Sequence, residues 1–127
     1  MSEHAEHEQW IALAEQDRRA LRILLNAPQQ PWNAIGFHAQ QAAEKYFKAF
    51  LVFRGIRPER THDLGKLLKA CLEFDSSLGA LVELLDALEY YAVEGRYEHE
   101  DEFSEASARE AADASDRICN AIRERLT

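Results

Sequence analysis

The chain is organised around the pattern Phe37 to Gly55, FHAQQAAEKYFKAFLVFRG, with no Pro and no Gly until its end. At ~100° per residue, Ile35, Ala39, Ala42, Ala43, Tyr46, Ala49, Phe50 and Phe53 fall on one helical face. Phe37, Phe47 and Leu51 make a second apolar face. Between the two runs a narrow polar stripe of His38, Gln41, Lys45 and Lys48. A helix that is apolar on two sides is central in a bundle or sits at a subunit interface. The second face therefore predicts a homodimer seam at Phe37, Phe47 and Leu51. The stripe is either the helix's only solvated side or the lining of a site.

The neighbouring segments read as further helices. From about His4 to Asn26, Trp10, Leu13, Ala14, Leu21 and Leu24 share one face, and Asp17 falls near its centre. A buried carboxylate is costly unless paired, so Asp17 is expected to meet a cation or several donors. Ala27 to Pro31 is a turn, the second helix runs from Trp32 to Arg54, and Gly55 suits its C′ position. After the linker Ile56 to Arg60, Thr61 reads as the N-cap of a short helix, with His62 and Asp63 in its first turn. Leu64, Leu67, Leu68, Cys71 and Leu72 give that helix an apolar side. A fourth helix is expected from Ser77 to Val93, with Leu78, Leu81, Val82, Leu85, Leu88 and Ala92 as its seam. The loop Gly95 to Phe103 follows, and Ser104 opens a last helix to Leu126. No segment alternates with period two. The predicted fold is all-α: an up-and-down antiparallel four-helix bundle with one additional short helix.

Composition narrows the setting. The chain has 127 residues, and one domain across residues 1–127 is expected. Hydrophobic residues make up 46%, enough for a sizeable core. No apolar run approaches the ~20 residues that span a bilayer. The N-terminus, MSEHAEHEQW, is acidic and lacks the apolar stretch of a signal peptide. The cytoplasm is the expected location. Cys71 and Cys119 lie in apolar helical patterns without ligand spacing and read as buried thiols. The net charge of −8 argues against free-standing binding of nucleic acid through phosphates, unless a basic patch or a partner supplies the charge.

The residue types that carry chemistry are His38, Gln41, Lys45, His62, Arg96 and Tyr97. They suit an anionic, planar ligand such as a nucleotide: Lys45 and Arg96 for phosphate, Tyr97 for stacking on a base. The structural alternative pairs Lys45 or Arg96 with Asp17 and makes His62 a cap residue. For RNA hydrolysis, His62 or His99 is the candidate base and Arg96 the candidate cation. The acidic run Glu98 to Glu102 reads as a solvated approach to a helix N-terminus, so no metal and no other cofactor is expected.

Asp17, then FHAQQAAEKYFKAFL (Phe37 to Leu51), then THDL (Thr61 to Leu64), then a Tyr-rich helix end followed by Arg96–Tyr97 together resemble the HEPN domain. This family is named for nucleotide binding in higher eukaryotes and prokaryotes. The resemblance covers nearly the whole chain in order. It implies a helical bundle that often dimerises and is often encoded beside a small nucleotidyltransferase, as in toxin–antitoxin-like pairs. Some members are metal-independent ribonucleases with an Arg, four to six residues, then a His. Here Arg96 is followed by His99 after only two residues, and Glu98 stands where a Pro often follows. Arg57 and His62 have four residues between them, but in the linker before helix three. The resemblance thus implies a nucleotide- or RNA-end-binding component of such a pair, with a small nucleotidyltransferase as partner. A ribonuclease toxin and a non-catalytic dimeric interaction module are the alternatives.

Overall fold

A computed structural model describes residues 3–91 and 104–126. Its elements are α1 (Glu3–Leu25), α2 (Trp32–Phe53), α3 (Leu64–Leu72), a 3-10 helix (Ser76–Leu84), α4 (Asp86–Glu89) and α5 (Glu105–Arg123). Among the described residues there is no strand, and the fold is an all-α bundle.

The direction of each element follows from its contacts. His7 meets Phe53, Trp10 meets Lys48, and Asp17 meets His38, so α1 and α2 run antiparallel. Asp75 binds Arg125 and Tyr91 binds Ser107, so the segment between them rises antiparallel to α5. The arrangement is therefore up and down, with α3 as the extra element.

α2 is the centre. Ile35, Tyr46, Phe47 and Leu51 are among its fully buried side chains. It ends in a Schellman motif: Gly55 takes φ 84°, its N–H binds the Val52 carbonyl at 2.9 Å, and the Ile56 N–H binds the Leu51 carbonyl at 2.9 Å. α5 approaches α2 closely because Ala108, Ala111, Ala114 and Ser115 are small. There the buried Ser115 hydroxyl donates to the Ala39 carbonyl at 2.6 Å. Tyr91 is packed so closely over Gly36 that a Cβ on Gly36 would lie 2.2 Å from its ring.

Three expectations are corrected. Phe47 and Leu51 are 0% and 1% exposed within this single chain. α3 packs on α2, with the Cys71 Sγ 3.8 Å from the Phe47 carbonyl. The second apolar face of α2 is thus covered from inside, and of the three seam residues only Phe37 is partly exposed. Second, α3 begins at Leu64, because the Asp63 carboxylate accepts the Lys66 N–H at 3.2 Å and is the N-cap. Thr61 instead accepts the Asp63 N–H at 3.1 Å, which leaves His62 outside the helix. Third, the expected fourth helix is divided. Ser76–Leu84 winds as a 3-10 helix, and α4 is a single turn. In a three-residue turn Leu78, Leu81 and Leu84 stack at i, i+3, i+6, and Val82 is left 61% exposed. Ala92 and Val93, the expected end of that helix, lie outside the described residues.

Among the described residues, no helix is long and apolar enough to cross a membrane. Both cysteines are unpaired and buried, and burial pushes each thiol up to about 12, which makes them poor nucleophiles.

Candidate functional site

The polar side of α2 is built around two carboxylates. Asp17 comes from α1 and is 8% exposed. One of its oxygens lies 2.8 Å from His38 Nδ1, and the other accepts from Lys45 Nζ at 2.5 Å. His38 and Lys45 are seven residues apart, two helical turns, so both reach the same α1 residue. Burial pushes the Asp17 carboxyl up, but hydrogen bonds from His38 and Lys45 and the Lys45 charge outweigh it, holding the group below the ordinary aspartate value.

The second carboxylate, Glu44, is 3% exposed. Its Oε1 lies 2.8 Å from His62 Nδ1 and accepts from Gln40 Nε2 at 3.2 Å; its Oε2 accepts from Lys48 Nζ at 3.0 Å. Gln40 also donates to the His62 carbonyl at 3.2 Å, and Gln41 donates to the Gln40 side-chain oxygen at 2.7 Å. Lys48 lies 5.5 Å over the Trp10 ring. The linker that follows α2 therefore doubles back, and His62 is pinned to α2 through both its ring and its backbone.

The two groups share one plan: a buried acid takes a lysine on one oxygen and a histidine Nδ1 on the other. With the acids ionised, each neutral imidazole places its proton on Nδ1 and turns the Nε2 lone pair away. The His62 side chain is 67% exposed, against 30% for His38. An outward Nε2 held by a buried carboxylate can accept a proton or, once charged, meet an anion.

A third network joins α1, α2 and α5. Tyr46 donates to Glu15, which also takes Arg18 at 3.0 Å, and Arg18 reaches Asp116 at 2.8 Å. Burial and the Glu15 hydrogen bond push the Tyr46 phenol up to about 12. Burial raises the Glu15 carboxyl, but Tyr46, Arg18 and Arg123 together bring it below the ordinary glutamate value.

Of the residues singled out from sequence, His38 and Lys45 come together on Asp17. Gln41 and His62 join the neighbouring Glu44 network. Arg96, Tyr97 and His99 lie outside the described residues. Gln40 and Glu44 were missed. At ~100° per residue they fall among Phe37, Phe47 and Leu51 on the second apolar face. Polar groups on an apolar face were the signal that singled out Asp17, and the same reasoning would have found these two. No group of three or more His, Cys, Asp or Glu among the described residues is placed to hold a metal ion.

The bundle and its internal acid-centred networks define an all-α domain with one polar seam between α1, α2 and the start of α3. The family model of the HEPN domain matches residues 7–125, and the chain belongs to that family. No curated protein and no solved structure matches it at a significant level.

Proposed function

We propose that this chain is the nucleotide- or RNA-end-binding helical half of a nucleotidyltransferase-linked, toxin–antitoxin-like pair, acting in the cytoplasm as a homodimer. The reading is supported by two acid-centred networks on α2, His38 and Lys45 around Asp17, and Gln41 and His62 with the Gln40–Glu44 pair. HEPN domains commonly dimerise. Binding is favoured over cleavage because Arg96 and His99 do not have the family's ribonuclease spacing.

The test is calorimetry with mononucleotides on wild type, Lys45→Ala, His62→Ala and Arg96→Ala, with and without a co-expressed nucleotidyltransferase. The expected outcome is binding that weakens about tenfold in each variant, equivalent to about 1.4 kcal/mol. Binding that changes less than about twofold, some 0.4 kcal/mol, in all three places the site elsewhere. Light scattering at tens of micromolar tests the dimer, and a monomer mass refutes it.

The non-catalytic interaction module is the second reading. It is favoured by the compensation of Lys45 by Asp17 and of Lys48 by Glu44. Absence of nucleotide binding in the presence of the partner would select it.

A further inference from the structure

The linker and α3 differ electrically from the rest of the chain. Residues 54–69, RGIRPERTHDLGKLLK, hold five cations against two acids, while the remainder holds ten cations against 21 acids. Arg54, Arg57, Arg60, Lys66 and Lys69 are all exposed. Cations of the helix seams are paired: Lys45 with Asp17, Lys48 with Glu44, Arg18 with Glu15 and Asp116, Arg125 with Asp75. Arg57, Arg60, Lys66 and Lys69 form no ion pair among the described residues. Of the two acids in the segment, Asp63 is occupied as the cap of α3.

The segment is held in place. Ile56 is bonded to the Leu51 carbonyl at one end, and His62 is pinned to Glu44 and Gln40 at the other. Between those anchors the linker returns along ten residues of α2, about 15 Å at the α-helical rise. Arg57 and Arg60 lie on this return. Lys66 and Lys69 continue on the outward side of α3, whose inner side is Leu64, Leu67, Leu68 and Cys71.

The composition of the surface selects its occupant. A protein interface has an apolar centre enriched in aromatic residues. Here Ile56 is the large exposed hydrophobic residue, at 42%. Separate, unpaired cations strung along an anchored segment match a chain of repeating phosphates instead. We propose that Arg57, Arg60, Lys66 and Lys69 form a docking strip for the phosphate backbone of a single-stranded nucleic acid. The strip needs no nucleotide in the α2 network, so the two proposals fail separately.

The experiment measures binding of oligo(U) and oligo(dT) of roughly 20 residues by fluorescence anisotropy at several salt concentrations. Each neutralised phosphate of a single strand contributes about −0.7 to the slope of log K against log salt. Four contacts give a slope of about −3, a loss of roughly fiftyfold between about 50 and 200 mM salt. The quadruple variant Arg57→Gln, Arg60→Gln, Lys66→Gln, Lys69→Gln should lose the slope and bind at least about tenfold more weakly at the lower salt. Arg57→Lys with Arg60→Lys should keep both. All four side chains are exposed, and unchanged thermal unfolding verifies that each variant is folded. Equal binding of the two oligomers assigns recognition to the phosphates, and a preference for oligo(U) adds the 2′-hydroxyl. No binding at the lower salt, or an unchanged slope in the quadruple variant, overturns the proposal. Capture of poly-glutamate in place of either oligomer overturns it in favour of an acidic protein partner. Lys45→Ala should weaken mononucleotide binding about tenfold and leave oligomer binding intact; an equal loss of both overturns the strip as a separate surface.

Discussion

Replacing Asp17 by Ala is the most direct probe of the polar seam. The Asp17 and Lys45 side chains are 11% and 22% exposed, and the ion pair measures 2.5 Å. Removing one partner of a fully buried pair costs about 3–5 kcal/mol, because the other charge is stranded, whereas exposed pairs contribute about 0–1. This pair lies nearer the buried limit, but Lys45 retains a route to water, so the low end applies. The loss of the His38 hydrogen bond is included in that figure. The expected destabilisation is about 3 kcal/mol, or roughly 10 °C in Tm for a domain of this size. Urea unfolding followed by circular dichroism measures it. The double-mutant cycle with Lys45→Ala then isolates the pair, with an expected coupling of about 2 kcal/mol. A total cost below about 1 kcal/mol, or a coupling below about 0.5, would refute the account. The pair would then behave as a solvated surface contact.

The remaining predictions use the same bundle. Gly36→Ala gains up to about 1 kcal/mol of helix propensity. It also pushes a Cβ into the Tyr91 ring, which is 3% exposed and cannot swing aside freely. Overpacking of about 1–3 kcal/mol wins, and a net loss in urea unfolding is expected; an unchanged midpoint would contradict it. Ser115→Ala, which removes the 2.6 Å bond to the Ala39 carbonyl, should cost about 1 kcal/mol in the same assay. The carboxyls of Asp17 and Glu15 are both depressed on folding, so they bind protons less readily in the folded than in the unfolded chain. Their stabilisation is complete above their ordinary values of 3.8 and 4.5 and disappears as pH falls through the lower folded values. Stability should therefore fall on the acid side. Asp17→Asn should flatten that limb, and a limb equally steep in the variant would rule Asp17 out as its source.

Much of this fold was legible because local and tertiary signals agreed. The apolar faces of α2, Gly55 at its end, and Ser104 before α5 each carry one physical meaning. Asp17 was legible for a related reason: one carboxylate among Ala14, Leu21 and Leu24 requires partners. The misreadings came where two arrangements use the same pattern. Leu78, Leu81, Leu85 and Leu88 are compatible with an α-helix and with a 3-10 turn followed by a short helix. Only Val82, exposed in the structure, separates the two. Thr61 and Asp63 are both good caps: Thr61 accepts the Asp63 N–H and Asp63 the Lys66 N–H, and it is the second bond that opens α3 at Leu64. Phe47 and Leu51 demanded burial, but periodicity does not say which element covers them. α3 of the same chain does so, at the end of a linker whose return path depends on His62 reaching Glu44.

That return path bears on where an anion can be met. Each buried acid already holds a lysine, so a phosphate approaching Lys45 or Lys48 also approaches Asp17 or Glu44. At an effective dielectric of about 20, a phosphate charge about 4 Å from the lysine gains about 4 kcal/mol, and the acid behind the lysine, roughly 6.5 Å off, repels it with about 2.5 kcal/mol. More than half of the attraction is thus offset. Glu44 is already offset by Lys48, so a proton on His62 adds a positive charge that the acid does not cancel, and His62 stands at the rim with its side chain 67% exposed. Beside it in the chain are Arg57, Arg60 and Lys66, none of which has a carboxylate partner among the described residues. The interior networks thus act as a mount more than as a charge reservoir. Asp17 joins α1 to α2, Glu44 fixes the linker on α2, and the uncompensated positive charge of this region lies on the segment so held.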